Sequence, residues 1–188
     1  MECIALREEG EGRSRFGGDG PPLAAGPELT FIASIDLSEL PRVEPLPAEG
    51  TLRFYWNLEF HELERMDFVV ASRVVYEPET TSQPASGTPL AGTLDDGEDF
   101  PHQLLGTSRD IQGPVLDEIP YWFTEGFPAT RERYSEAELR GEGWTLLAQF
   151  ASSHELMFGD MGDLYYVLPS ADLQGHRFDR VMGIMQCT

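Results

Sequence analysis

The clearest pattern in the chain is a pair of apolar runs separated by a turn-rich segment. Residues 144–150 (WTLLAQF) and residues 164–168 (LYYVL) are rich in aliphatic and aromatic side chains, and Pro169 ends the second run. Between them, residues 158–163 (FGDMGD) combine glycine with aspartate, two residue types that favour tight turns. Two such runs around a turn predict two strands that fold back on each other.

Similar apolar runs occur elsewhere in the chain, and each predicts a strand. In residues 29–35 (LTFIASI), Phe31, Ala33 and Ile35 fall on one face, which is the two-residue period of a strand. The other predicted strands cover residues 50–56, 68–76 and 178–187.

The segments between these runs predict little regular structure. Residues 1–13 form a charged, glycine-containing lead that we expect to be frayed at its start, and residues 15–22 are a loop because Gly and Pro dominate them. Ser135 and Glu138 form a capping-box signature, which predicts a short helix ending near Arg140. Further predictions are a helical turn at 36–40, a short helix or long turn at 58–66, a surface loop or linker at 77–99 and irregular structure at 114–133.

The predicted strands also recur in the same order. Residues 30–35 align with 145–150, residues 50–55 with 162–167, and residues 68–76 with 178–186, at offsets of 115, 112 and 110. The glycine-containing lead-ins 16–18 and 104–106 correspond as well. This recurrence predicts a mainly β fold (α+β with few short helices), in which a three-stranded unit is duplicated around a pseudo-two-fold axis and shares one core. We expect a single domain over residues 1–188, with a first repeat at about 14–78, a linker at about 79–99 and a second repeat at about 100–188.

Several of these segments together resemble a known family. They are residues 15–18 (RFGG), 29–37 (LTFIASIDL), 46–54 (LPAEGTLRF), 102–106 (HQLLG), 111–112 (IQ), 158–165 (FGDMGDLY) and 186–187 (QC). The chain is similar through them to the YwqG-like family, a bacterial domain of unknown function. The resemblance implies a mainly β fold of two related halves and supplies no established activity. The chain departs from the family at Ser34, where Gln is usual, at Phe158, where Trp is usual, and in its Gly-Gly-x-Pro segment, which is lengthened at 17–21.

Composition indicates a folded, cytoplasmic protein. With 188 residues, 40% of them hydrophobic, the chain is long enough to bury a core. Cys3 and Cys187 are its two cysteines, which provide neither a disulfide framework nor metal-ligand spacing. Its first residues are too acidic for a signal peptide, and no apolar run approaches the length that spans a bilayer. We therefore expect a soluble protein in a reducing cytoplasm.

The charge balance restricts the partners. Thirteen basic residues, all of them arginine, oppose 33 acidic residues, which gives a formal net charge of −20. A field of that sign repels nucleic-acid phosphates and anionic membranes, so we expect neither as a direct partner. The favoured interpretation is that the charge reflects a general bias of the organism's proteins and serves solubility. The alternative is a partner of opposite charge, a basic protein or a cation.

Candidate chemistry is sparse. The four histidines are dispersed and show no metal-binding spacing, and neither a nucleophile elbow nor a phosphate-binding loop is present. We therefore expect no metal and no cofactor. The candidate binding residues are His102, Gln112, Gln149, Asp160 and Gln186, with the glutamines as the polar floor of a cleft between the halves and His102 and Asp160 at its rim. The favoured interpretation of each glutamine is nevertheless that it holds a neighbouring loop, since a buried amide must satisfy both its carbonyl and its amino group, and the cleft floor is the functional alternative.

Three functions fit these observations. The favoured one is a non-enzymatic protein-interaction module, because no nucleophile–base pair is visible. The second is a small-molecule-binding protein or hydrolase with its cleft between the two halves. The third is an acidic mimic of nucleic acid, which rests on the net charge alone.

Overall fold

The computed structural model of the protein describes residues 2–23, 29–58, 71–79, 86–95, 97, 99–124 and 132–187. Its strands are β1 (Cys3–Arg7), β2 (Arg15–Phe16), β3 (Thr30–Asp36), β4 (Thr51–Trp56), β5 (Ser72–Glu77), β6 (Thr88–Pro89), β7 (Ala91–Leu94), β8 (His102–Leu105), β9 (Trp144–Ala151), β10 (Asp163–Pro169) and β11 (Met182–Gln186). Its helices are α1 (Ile119–Thr124), α2 (Glu136–Leu139) and α3 (Ser170–Gln174), with 3₁₀ turns at Leu37–Glu39, Val115–Glu118 and Phe178–Arg180. In this part of the chain no helix is long and apolar enough to cross a membrane.

The strands form two antiparallel sheets. Sheet A has the order β11-β10-β9-β8-β1-β7, and sheet B has the order β5-β4-β3-β2-β6. The predicted pair around the turn at 158–163 is confirmed, since β9 and β10 are hydrogen-bonded neighbours with Gln149 opposite Tyr165. The fold is mainly β, as the sequence pattern predicts.

The core lies between the two sheets because each strand alternates its side chains between two faces. Phe54 of sheet B contacts Phe150 and Tyr166 of sheet A, with ring centroids 5.1 and 5.0 Å apart. The buried Tyr166 hydroxyl donates a hydrogen bond to the carbonyl of Tyr55 over 3.1 Å, and this bond joins sheet A to sheet B. The space between the halves is filled by these side chains.

The internal duplication is confirmed by matching irregularities. The register of β3 against β4 skips Ile32, and the register of β9 against β10 skips Leu147, so the same bulge occurs at the offset of 115 residues. The lead-ins match too: Gly17 and Gly18 have φ of 66° and 78°, while Leu105 and Gly106 have φ of 60° and 81°. Bulges and positive φ angles are specific local features, so their recurrence indicates a common origin of the halves.

The prediction of a frayed lead at residues 1–13 is wrong. Cys3–Arg7 forms β1, which lies inside sheet A between β8 and β7. Ile4 and Leu6 are fully buried, because their alternating positions face the core. The charges around this short run conceal its strand pattern.

The prediction of a surface loop at 77–99 is also wrong in its second part. Thr88–Pro89 forms β6 beside β2 in sheet B, and Ala91–Leu94 forms β7 beside β1 in sheet A. Sheet B thus gains β6 from the segment that precedes the second half, and sheet A gains β1 from the segment that precedes the first half. The two halves are interlocked through this exchange. The repeat boundaries at about 78 and 100 stay a prediction.

Smaller corrections concern the second half. Residues predicted as irregular at 114–133 include the 3₁₀ turn Val115–Glu118 and helix α1. The last predicted strand begins later, because Phe178–Arg180 is a 3₁₀ turn that brings Arg180 to the buried carboxylate of Asp172. The capping box of Ser135 and the helix after it are confirmed. The predicted helix or turn at 58–66 lies almost wholly outside the described residues, as does the start of the strand predicted at 68–76.

Candidate functional site

Gln149 is the centre of a buried polar cluster on the outer face of sheet A. Its carbonyl oxygen accepts hydrogen bonds from the backbone N–H of Arg109 over 2.9 Å and from the amide of Gln103 over 3.3 Å. Its amino group donates to the Arg109 carbonyl over 2.9 Å and to the carboxylate of Asp163. The Tyr165 hydroxyl donates to the same Arg109 carbonyl over 2.8 Å. All hydrogen-bonding groups of this fully buried amide are thus used within the chain.

Gln186 makes a similar set of hydrogen bonds two residues further along the loop. Its carbonyl oxygen accepts from the N–H of Ile111 over 2.9 Å, and its amino group donates to the carbonyl of Gly113 over 2.7 Å and to Glu118 over 2.6 Å. Gln112 donates from its side chain to the Cys187 carbonyl over 2.6 Å. Together the three predicted glutamines hold the loop at 109–118 against the sheet, which agrees with the favoured loop-holding interpretation.

The predicted position of these glutamines between the halves is wrong. Successive side chains of a strand point to opposite faces, so Phe150 enters the core and Gln149 points away from it. The structure places Gln149 and Gln186 on the outer face under the loop, and Gln112 in the loop itself with an exposed side chain. Their role in binding a partner or ligand stays a prediction.

Burial changes the acid–base behaviour of this cluster. It raises the pKa of the Asp163 carboxyl, although the hydrogen bond from Gln149 and the charge of Arg109 oppose the shift. Burial also raises the pKa of Tyr165, with a further contribution from the charge of Asp163. The phenol therefore acts as a hydrogen-bond donor at neutral pH. Asp163, Gln103 and Arg109 were not among the predicted residues, although alternation along β8 and β10 places the first two beside Gln149.

His102 lies on the opposite face of sheet A and is fully buried. Its Nδ1 accepts a hydrogen bond from the N–H of Ala151 over 3.2 Å, so the ring proton is on Nε2, which lies 3.1 Å from the carboxylate of Glu8. The ring stacks on Phe16 with centroids 4.3 Å apart. Burial, assisted by the positive charge of Arg109, lowers the pKa of His102 to about 3. This histidine is a neutral link between the two sheets.

Asp160 lies in neither of these clusters but in the exposed turn between β9 and β10. Phe158 anchors the turn in the core, and the Gly162 N–H donates to the Phe158 carbonyl over 2.8 Å. The Ser152 hydroxyl accepts from the Phe158 N–H and donates to the Gly162 carbonyl over 2.9 and 2.7 Å. Met161 has a φ of 56°, and a Cβ on Gly162 would lie 2.2 Å from the Gln186 carbonyl oxygen. The backbone of the turn is thus fixed.

A groove of about 600 Å³ lies beside Gln103, at the end of the polar cluster. Its wall includes Cys3, Phe100 and Arg109. Burial raises the pKa of the Cys3 thiol, with a further contribution from Asp95, so the thiol stays protonated at neutral pH. Among the described residues, no group of three or more His, Cys, Asp and Glu side chains is placed to hold a metal ion.

A family model described as a domain of unknown function, DUF1963, matches the chain twice, over residues 14–100 and 91–187. The two matches cover most of the chain. The chain belongs to the DUF1963 family. No curated protein matches it with significance.

The two DUF1963 matches contain the same polar positions with different residues. Ser34 is the first-half counterpart of Gln149, since Ser34 lies opposite Arg53 in sheet B and Gln149 lies opposite Tyr165 in sheet A. In the first half the loop residue in the place of Arg109 is Pro21, and its carbonyl accepts a hydrogen bond from the Tyr55 hydroxyl over 2.9 Å. Because proline has no N–H, a glutamine in place of Ser34 would lack the donor that Arg109 offers to Gln149. The Ser34 hydroxyl has no hydrogen-bond partner among the described residues.

Proposed function

We propose that this DUF1963 protein is a cytoplasmic, YwqG-like, non-enzymatic interaction module that presents its turn at 157–161 to a basic protein. The observation that carries the proposal is the exposure of two methionines on a fixed turn. Met157 and Met161 expose 51% and 61% of their surface, whereas Phe158 between them is fully buried.

Exposed methionine on a fixed backbone favours protein binding. Methionine is flexible and polarizable, so it adapts to the shape of a partner, and it is enriched at interfaces. The hydrogen bonds from Ser152 and Gly162 hold the backbone, so little backbone entropy is lost on binding. These features support the turn as the contact surface.

The charge supports a basic partner. The protein carries a formal net charge of −20, and Asp160 is exposed between the two methionines. Such a field accelerates encounter with a positively charged protein, and the acceleration falls as salt rises. An apolar contact bordered by acidic groups therefore fits a partner with an apolar anchor inside a basic surface.

The buried candidate residues support a non-catalytic role. The amide groups of Gln149 and Gln186 are bonded to the chain's own loop, and the imidazole of His102 bridges Ala151 and Glu8. Polar groups whose hydrogen bonds are all made within the folded chain stabilise the fold, and they are not positioned to exchange a proton with a substrate.

The test is affinity capture from native lysate with three forms of the protein: the wild type, Met161→Ser and Leu94→Ser. Leu94 exposes 47% of its surface on strand β7, so its replacement removes a similar apolar area elsewhere. We expect a stoichiometric basic partner that the wild type and Leu94→Ser retain, that Met161→Ser loses and that high salt releases. Absence of such a partner, or its equal retention by Met161→Ser, contradicts the proposal. Capture of many nucleic-acid-binding proteins at low salt alone would favour acidic mimicry instead.

A further inference from the structure

The turn at 157–161 carries the exposed methionines of the described part of the chain. Of the six methionines in the sequence, the structure describes Met157, Met161, Met182 and Met185. Met157 and Met161 expose more than half of their surface, whereas Met182 is buried and Met185 is partly buried against the core. An oxidant in solution therefore reaches the two thioethers of the turn before the other two.

The backbone of this turn is held by groups that oxidation of methionine does not change. The Ser152 hydroxyl bridges Phe158 and Gly162, and Phe158 is fully buried. Just before the turn, the Ser153 N–H donates to the Leu156 carbonyl over 2.8 Å. These bonds join main-chain groups and a serine hydroxyl, so an added oxygen on either thioether leaves them intact.

The conformation of Met161 favours a role for its side chain. Its φ of 56° lies in the left-handed region, which glycine and asparagine adopt more readily than methionine. Core packing does not account for an apolar residue there, because the side chain is exposed. An apolar side chain that is kept at such a backbone cost is expected where the side chain has a function.

The charge of the protein favours an uncharged oxidant. A formal net charge of −20 repels anionic oxidants and leaves the approach of hydrogen peroxide unaffected. In the reaction, a lone pair of the thioether sulfur attacks one peroxide oxygen, so that an S–O bond forms, the O–O bond breaks and the other oxygen leaves as water. The sulfur is oxidised by two electrons to a sulfoxide, and the peroxide is reduced.

We infer that Met157 and Met161 form a reversible oxidation site, at which hydrogen peroxide converts the thioethers to sulfoxides while the fold stays intact. Two thiols return each sulfoxide to the thioether and water and become a disulfide, a reaction that methionine sulfoxide reductases catalyse. Methionine sulfoxide is polar, so the oxidised turn loses its apolar surface. The consequence for binding rests on the proposed function: oxidation releases the basic protein that the reduced turn holds.

The first test uses the full-length protein alone. After treatment with hydrogen peroxide, tandem mass spectrometry of the digested protein follows the gain of one oxygen at each methionine. We expect Met157 and Met161 to be oxidised about tenfold or more faster than Met182, with a melting temperature within about 2 °C of that of the untreated protein, as for a change at an exposed side chain.

The same sample tests reversibility. The two methionine sulfoxide reductases, one for each sulfoxide epimer, should remove the added oxygen from the folded protein with dithiothreitol as the reductant. Oxidation of Met182 at an equal rate, a larger fall in melting temperature, or sulfoxides at 157 and 161 that the reductases leave unchanged would each overturn the inference.

A double variant tests the consequence for binding. Met157→Leu with Met161→Leu keeps an apolar surface without sulfur, and Leu105 at a φ of 60° shows that this fold accommodates leucine in the left-handed region. The variant retains Cys3 and Cys187, so it also controls for oxidation of the thiols.

Both proteins are treated with peroxide, freed of it and used for affinity capture from native lysate. We expect the treatment to abolish capture of the basic partner by the wild type and not by the variant. Equal capture by treated and untreated wild type, or loss of capture in both proteins, overturns the inferred release. Absence of a partner for the untreated wild type contradicts the proposed function instead, and the first test still decides whether the oxidation site exists.

Discussion

The buried imidazole of His102 makes the free energy of unfolding depend on pH. In the folded state its pKa is lowered from 6.5 to about 3, mainly because burial disfavours the charged ring. In the unfolded chain the ring regains its ordinary pKa, so below pH 6.5 the unfolded state binds a proton that the folded state does not. The stabilisation is complete above the unfolded pKa and is lost as pH falls from 6.5 towards 3.

The size of the effect follows from the two pKa values. One pKa unit corresponds to about 1.4 kcal/mol, so the full loss is about 5 kcal/mol at low pH. Between about pH 7.5 and about pH 5 the expected loss is about 2 kcal/mol, because the unfolded ring becomes largely protonated over that interval while the folded ring stays neutral. This partial value changes little with the folded pKa as long as that pKa stays well below 5.

The assay compares urea unfolding of the wild type and His102→Gln at these two pH values. Glutamine offers a carbonyl and an amino group but does not titrate, so the variant should lose about 2 kcal/mol less than the wild type on acidification. His154→Gln is the matched control, since the His154 side chain is 77% exposed, and its pH dependence should equal that of the wild type. If His102→Gln does not fold, His102→Asn replaces it, with an oxygen near the position of Nδ1.

One result would refute the reasoning. The carboxylate of Glu8 lies 3.1 Å from Nε2 and favours the protonated ring. If that attraction outweighs burial, the wild type and His102→Gln will show the same loss between the two pH values, and His102 is then a charged partner of Glu8 rather than a neutral link.

Three further predictions concern stability. Gln149→Ala leaves the Arg109 N–H without its partner and the Arg109 carbonyl with the Tyr165 hydroxyl alone, and it should lower the free energy of unfolding by about 2–4 kcal/mol, whereas Gln112→Ala, at an exposed side chain, should cost less than about 1 kcal/mol in the same urea assay. Residues 100–188 expressed alone lack strand β1 and should aggregate or show no cooperative thermal transition, so a sharp melt of that fragment would contradict the interlocked fold. The melting temperature of the whole protein should rise as NaCl increases to about 1 M, because salt screens the repulsion within a net charge of −20, and a constant melting temperature would exclude that repulsion as a significant contribution.

The strands of the repeat could be predicted because each carries its own signal. The runs that became β3, β4, β9 and β10 combine aromatic and aliphatic residues with turn residues at their ends, so local pattern and final environment agree. The recurrence of these runs then predicted the duplicated fold. Neither step needed information about distant parts of the chain.

The sequence pattern did not predict β1, β6 and β7, because these strands carry no strand signal of their own. Each is short and lies among charged or turn-forming residues, and its regular structure depends on a partner far away in the chain. Ile4 lies opposite Leu104 on one side and Leu94 on the other. Such pairing is a tertiary effect that overrides local composition.

The sequence predicted only part of the candidate site. Polar side chains within apolar runs correctly indicated that Gln149 and Gln186 are buried and bonded. Their position on the outer face could have been read from the alternation in β9, since Phe150 and Gln149 cannot both face the core. What covers that face was not predictable, because the loop at 109–118 shows no periodic pattern.

The two halves differ at the position of Ser34 and in the loop that faces it. Where the YwqG-like resemblance leads us to expect glutamine, the chain has Ser34, and its loop has Pro21, which offers no N–H for a glutamine to bind. A glutamine there would bury an amide carbonyl without the N–H donor that Arg109 offers to Gln149, at a cost of about 1–3 kcal/mol, and the buried Ser34 hydroxyl likewise has no hydrogen-bond partner among the described residues. The same exchange removes the bonds that Gln149 makes to the backbone of Arg109, whereas in the first half the Tyr55 hydroxyl holds the loop through the Pro21 carbonyl. The equivalent outer faces of the two halves are thus held to their loops by different bonds.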